Sequence, residues 1–293
     1  MSQAATPTAL PPGELPEARP AEAPAAPAPP ARGAAWPAVA ALWAREVKRF
    51  FRQRNRVVGA VATPLVFWLL LGLGLNRTFN PPAAVSDAAE GLGYLEYFFP
   101  GAVTLMVLFT AIFATISVIE DRREGFLQGV LASPAPRWAL VLGKVLGGAS
   151  IATAQGVFML LIGVFVFGLP SVVGLLAAVA AMFVVAVGLT GLGLALAWPM
   201  DSTAGYHAVM NLLLMPMWLM CGAVFPVDSA GPLKWVMWIN PLTYGHAAFA
   251  GLLRGGDAAG LGLPLGVALG LTVLLAGLAV AWATLVAGKK VRA

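Results

Sequence analysis

"PGAVTLMVLFTAIFATISVIEDRREGFLQGVLASP", residues 100–134, decides the fold. From Pro100 to Ile119 it carries no charge. About 20 apolar residues, at ~1.5 Å rise each, cross the ~30 Å hydrocarbon layer of a bilayer. Five charged residues follow without a break: Glu120, Asp121, Arg122, Arg123 and Glu124. Each would cost roughly 2.5–3.5 kcal/mol at mid-bilayer. The cluster therefore marks where the chain leaves the membrane.

The same pattern recurs along the chain. It has 293 residues, of which 59% are hydrophobic and 11% charged. Six continuous apolar runs predict six membrane-spanning helices, at Val57–Leu75, Pro100–Ile119, Ala139–Leu169, Val172–Trp198, Ala208–Phe225 and Leu263–Ala287. Continuous runs exclude the alternating pattern of an outer-membrane barrel. The fold class is all-α integral membrane, and residues 57–293 form one six-span domain. Residues 1–35, rich in Ala, Pro and Glu, cannot bury enough surface to fold and are expected to be a disordered tail. The single cysteine, Cys221, excludes an internal disulfide.

Lysine and arginine set the orientation. Six of them lie between residues 45 and 56, three more in the loop after the second span, and Lys289, Lys290 and Arg292 close the chain. Both termini are expected to be cytoplasmic, in a bacterial inner membrane. The net charge of +5 is thus distributed as membrane topology requires and does not point to nucleic acid.

Residues 36–56 predict an amphipathic interfacial helix. At 100° per residue, Trp36, Val39, Trp43, Val47 and Phe50 fall within about 100° of one another, with Arg45, Lys48, Arg49 and Arg52 opposite. Aromatics would enter the acyl boundary and the cations would face anionic lipid headgroups. Arg54 falls on the apolar side, so the helix should end or bend there. A simple anchor and a cytoplasmic gate helix both fit this pattern. Residues 233–254 imitate a seventh span, but Asn240-Pro241 breaks them. Two short helices remain, expected as a re-entrant pair that enters the outer half of the membrane and packs against the other helices.

After the charges, Phe126, Leu127, Val130 and Leu131 share one helical face, and Pro134 and Pro136 stop the helix. Spacing alone leaves a solvated loop and a docking helix both open. Here the sequence resembles the membrane subunits of ABC transporters of the ABC-2 type, which include daunorubicin-type drug exporters and polysaccharide or Nod-factor exporters. "EDRREGFLQGVLASP" with "LGK" at 142–144, the basic amphipathic helix, and "INPLTYGHAAFAGLLR" at 239–254 carry the resemblance in order. It implies that Glu120, Asp121, Arg122, Arg123, Glu124, Gly125, Phe126 and Leu127 couple to a separate ATP-binding subunit, which would hold the ATP and Mg. It further implies a second permease copy, identical or related. Trp43, Arg45, Lys48, Arg49, Phe50 and Arg52 would belong to the gate helix, and Asn240, Pro241, Tyr244 and Arg254 to the re-entrant pair. The second and fifth spans would line the path of the cargo, with Thr104, Met106, Thr110, Asn211 and Met215 as candidates.

The sequence lacks a G-x-x-x-x-G-K-[ST] phosphate loop: Gly143-Lys144 is followed by Val145. No catalytic residue or metal site is expected, since His207 and His246 lie far apart and carboxylates avoid the spans. The expectation is an exporter permease for a hydrophobic or lipid-like molecule, driven by ATP hydrolysed elsewhere. A lipid-linked glycan exporter is the alternative within the class. A lipid-modifying membrane enzyme or an ATP-independent channel is the alternative outside it.

Overall fold

The computed structural model describes residues 35–75, 93–133, 135–168, 171–227, 230–256, 258 and 260–288. The expected N-terminal tail up to residue 34, Pro134 and the basic residues after Gly288 lie outside them. The described residues contain only helices, turns and loops. In order these are α1 (Ala35–Arg52), α2 (Arg54–Leu75), α3 (Tyr94–Ala114), α4 (Ile116–Arg123), α5 (Phe126–Ala132), α6 (Arg137–Phe167), α7 (Val172–Ala197), α8 (Thr203–Leu219), α9 (Lys234–Ile239), α10 (Pro241–Arg254) and α11 (Leu265–Gly288).

Among the described residues, five helical stretches are long and apolar enough to cross a membrane: Val57–Leu75, Tyr94–Arg123, Arg137–Phe167, Val172–Ala197 and Leu265–Gly288. The expected fifth span, Ala208–Phe225, differs. Its helix runs Thr203–Leu219 and has 17 residues. It starts early because Ser202 caps it, accepting from the Gly205 N–H at 3.1 Å. It stops early because the chain turns at Gly222, whose φ of +92° favours glycine. The apolar Ala223–Phe225 lies in that turn. Even so, α8 packs along the chain between Gly101 and Thr115. The Tyr206 hydroxyl meets Thr115 Oγ1 at 2.7 Å, and Trp218 Nε1–H donates to the Gly101 carbonyl at 2.9 Å.

The helices alternate in direction between two ends. The basic end gathers α1, the 120–124 cluster, Asp201 and the close of α11, where Arg137 donates to the carbonyls of Ala287 and Gly288 at 3.1 and 2.9 Å. Helix α3 is buried almost throughout and forms the axis of the core. Helix α6 lies antiparallel to it. Gly148 faces Ala114 and Thr190, Gly156 faces Val107 and Met182, and Gly163 faces Phe99. Lipid tails are as apolar as leucine, so close approach over small residues is what holds such helices together. By contrast α2 touches the core mainly through Trp68, whose indole N–H donates to the Leu95 carbonyl at 2.8 Å, and through Gly72.

The 233–254 segment is two helices, as Asn240-Pro241 predicts. Asn240 caps α10, accepting from the Leu242 N–H at 3.0 Å, while its own amide donates to the Met217 carbonyl at 2.6 Å. Residues Leu242, Thr243 and Gly245–Gly251 are buried.

The glycine seam is testable. Gly156→Val should destabilise the chain by about 1–3 kcal/mol through overpacking against Met182. Gly59→Val, where nothing lies within 4 Å, should leave it unchanged. Thermal unfolding in detergent, followed by intrinsic tryptophan fluorescence, checks both.

Candidate functional site

The 120–124 cluster does not point away from the chain. Asp121 has no solvent exposure and sits between α1 and α6. Arg45 donates to it with both terminal nitrogens, at 2.7 and 3.1 Å, and Arg49 adds a third bond at 2.9 Å. Lys144 Nζ reaches Asp121 at 2.6 Å, Glu46 at 2.7 Å and the Ser117 hydroxyl at 3.1 Å. Arg49 also pairs with Glu120 at 2.8 Å, and with Glu124 at 3.5 Å. Planar guanidinium forks suit a carboxylate that must be neutralised from one side. Burial opposes the charge of Arg45, but the bonds to Asp121 and its charge prevail and raise the arginine's pKa.

The two arginines of the cluster turn the other way. Arg122 donates to the Asp201 carboxylate at 2.9 Å, to the Met200 carbonyl at 3.2 Å and to the Trp198 carbonyl. Arg123 donates twice to the Asp201 carbonyl, at 3.0 and 2.6 Å. They close the ends left open where α7 finishes. One cluster thus ties α1 and α6 on one side to the α7–α8 connection on the other.

Gly125, at φ +76°, turns the chain from α4 into α5. The apolar stripe of α5 faces α1: Leu127 is buried, and Phe126 lies under the Arg45 guanidinium at 3.7 Å. Between α1 and α5 an apolar groove of about 390 Å³ is lined by Ala38, Ala41, Leu42, Phe126, Val130 and Leu140 among others. Arg123, Glu124, Gly125, Gln128 and Gly129 form the exposed edge of the tip.

Helix α1 is rotated from the face its periodicity gives. Val39, Leu42, Glu46 and Phe50 are buried, with Val39 and Leu42 seated on Gly143 and Glu46 on Gly147 of α6. Trp43 is exposed, its indole N–H bonded to Ser150 at 3.1 Å. Of the four cations expected to face headgroups, Arg45 and Arg49 bind acids of the chain itself, while Lys48 and Arg52 remain exposed. The helix ends at Arg52 and only Gln53 separates it from α2.

Of the path candidates, Thr104 is buried with its hydroxyl 2.9 Å from His246 Nδ1, Thr110 is buried against Gln155, and Met106 has no exposure. They lie inside the core. Asn211 and Met215 lie on the exposed face of α8. In the pair α9–α10, the Tyr244 hydroxyl donates to the Trp238 carbonyl at 2.6 Å, and Arg254 to the Tyr97 carbonyl at 2.9 Å. Among the described residues there is no group of three or more His, Cys, Asp or Glu that would hold a metal.

Sequence reasoning missed Glu46, Ser117 and Lys144. A signal existed: Glu46 is the one acid in a basic helix, and Lys144 the one charge inside the third apolar run. An ionisable residue in a span needs a partner. Asp121→Ala should leave Lys144, Arg45 and Arg49 short of a counter-ion and destabilise the chain by about 3–5 kcal/mol. Thermal unfolding in detergent reads this directly.

Comparison with known proteins agrees with this architecture. Residues 37–253 match the ABC-2 type transporter family. A Cyanophora paradoxa protein named transport permease ycf38 is 26% identical over 205 residues, 68% of this chain and 69% of the relative. Nodulation protein J of Rhizobium meliloti is 24% identical over 72% of this chain and 78% of its own. A protein of Escherichia coli named multidrug ABC transporter permease YbhR is 26% identical over 52% of this chain, which spans 42% of that relative's length. With four of the five candidate spans, the charged tip and nearly all of the basic helix α1 inside the matched region, this chain belongs to the ABC-2 type transporter family, as a membrane permease.

Proposed function

We propose that this chain is the transport half of an exporter whose ATP is hydrolysed on a separate subunit, and that this subunit grips the tip formed by α4 and α5. The observation that carries the reading is the tip itself. It projects at the basic end, presents Arg123, Glu124, Gly125, Gln128 and Gly129 to solvent, and borders an apolar groove. An exposed polar edge beside an apolar slot suits a partner that buries one helix and takes its register from charge. The basic end is cytoplasmic in this reading, because Lys48, Arg52 and Arg137 all lie there and the positive-inside rule places them so. Both termini then face the cytoplasm, in a bacterial inner membrane.

The 293 residues hold no phosphate-loop motif, which supports assigning ATP and Mg to the partner. A second permease copy would meet the exposed face of α8, where Asn211 lies in mid-helix beside the exposed Leu212, Leu213 and Met215. A polar amide there calls for a partner group. Adaptable methionine and leucine surface beside it favours a hydrophobic or lipid-like cargo.

Capture from the native membrane tests this. The tagged chain should bring down a subunit that hydrolyses ATP. Gly129→Trp adds bulk where nothing lies within 4 Å, so the fold is kept while docking is blocked. Capture should then fall about 10-fold or more, as when one central interface contact is lost. Absence of any ATPase with the unaltered chain would overturn the reading.

A further inference from the structure

Two spans and one short helix leave a gap at membrane depth. Helix α10 runs antiparallel to α7: the Leu252 carbonyl lies against Gly174, and Gly245 against Val185. Helix α11 packs beside them, with Ala276 on Gly188. So α10 fills the crevice between α7 and α11, but only as far as Pro241. There the chain leaves for α8, drawn by the Asn240 amide, which donates to the Met217 carbonyl at 2.6 Å. Beyond Pro241, toward the basic end, the crevice continues with none of the described helices in it. It forms a groove of about 350 Å³ that runs past Leu189 and Leu192 of α7 to Trp282 of α11.

The lining decides what the groove can hold. Its side chains are aliphatic apart from Thr272 and Trp282, and the Thr272 hydroxyl donates to the Ala268 carbonyl of its own helix at 2.7 Å. A buried water needs about two to four polar partners and does not find them here. An empty groove would forfeit dispersion contacts along its whole wall. Most of the lining lies within the two spans Val172–Ala197 and Leu265–Gly288, so the surrounding medium is lipid. Leu278 and Trp282 on the rim are exposed, while Leu189 is buried at the floor.

The position along the spans gives the leaflet. Leu192 and Trp282 stand within about two turns of the ends of α7 and α11, roughly 10 Å from the basic end. An exposed indole at that height suits the headgroup layer. Arg137 is held at the end of α11 by its bonds to the Ala287 and Gly288 carbonyls, and Lys289 and Lys290 follow in the sequence. Positive charge therefore stands where the headgroup of a lipid with its tail in the groove would lie.

We propose that this groove binds one acyl chain of an anionic phospholipid from the leaflet at the basic end, as a fitted continuation of α10. Lipid tails are as apolar as leucine, so transfer alone gains nothing. The preference over boundary lipid comes from contact with three helices instead of one. About ten additional carbon contacts make a preference of about 10-fold.

The test uses the full chain in nanodiscs of phosphatidylcholine with a minor share of phosphatidylglycerol that carries a diazirine on one tail. Illumination and peptide mapping read where that tail sits. Labelling at Leu278 and Trp282 should exceed that at Val58 and Val66, exposed at similar depth on α2, by about 10-fold. Phosphatidylcholine bearing the same tail should label the groove less. Ala279→Phe, which fills the groove from α11, should lower groove labelling about 10-fold and leave Val58 and Val66 unchanged. Equal labelling of the groove and of α2 in the unaltered chain means boundary lipid only and overturns the proposal, whether or not the variant folds. Equal groove labelling by the two headgroups overturns it too, as does a folded Ala279→Phe chain that labels like the unaltered one.

Discussion

A carboxylate with no access to water must be neutralised where it stands. Asp121 is that carboxylate, and much of the basic end follows from it. Two arginines approach from α1 and a lysine from α6, so three helices converge on one side chain. At low local dielectric an unpaired member of such a set is costly, which makes the arrangement all-or-none. The helices cannot drift apart one at a time.

That constraint explains why an apolar chain concentrates its charge so tightly. Adjacent residues of the cluster face opposite ways: Glu120 and Asp121 toward α1, Arg122 and Arg123 toward residues 198–201. A helical stem presents successive side chains about 100° apart, so one turn serves both neighbours. The tip beyond Gly125 is then free to present its edge outward, while its stem is fixed from two sides. Rigidity at the stem and exposure at the edge are what the proposed docking of a separate subunit requires.

Much of this was written legibly in the sequence. The apolar runs located the crossings, Asn240-Pro241 gave the break between α9 and α10, and the failure of periodicity at Arg54 gave the end of α1. What the sequence withheld were the long-range pairings. Lys144 and Glu46 are 98 positions apart, and periodicity says nothing about which distant acid meets which base. The rotation of α1 was hidden for the same reason. An amphipathic pattern shows that a helix has two faces, yet Gly143 and Gly147 on another helix decide how it seats. The fifth span was misplaced because hydropathy scores Ala223–Phe225 as membrane while Gly222 turns them out of the helix. The path candidates on α3 failed to reach a surface because α3 is the axis around which the other helices pack.

Helix α8, with 17 residues, stands in one bundle with α6, which has 31. At ~1.5 Å per residue these are about 25 Å and 46 Å long, against a hydrocarbon layer of about 30 Å. Lipid beside α6 meets a helix that projects or tilts, and lipid beside α8 meets one too short for it. A helix too short for the layer is met by a thinner bilayer or by association with another helix, at a cost of fractions of a kcal/mol per ångström. Helix length alone therefore makes the face that bears Asn211 the one where lipid fits worst, and that misfit adds to the gain when another surface covers it.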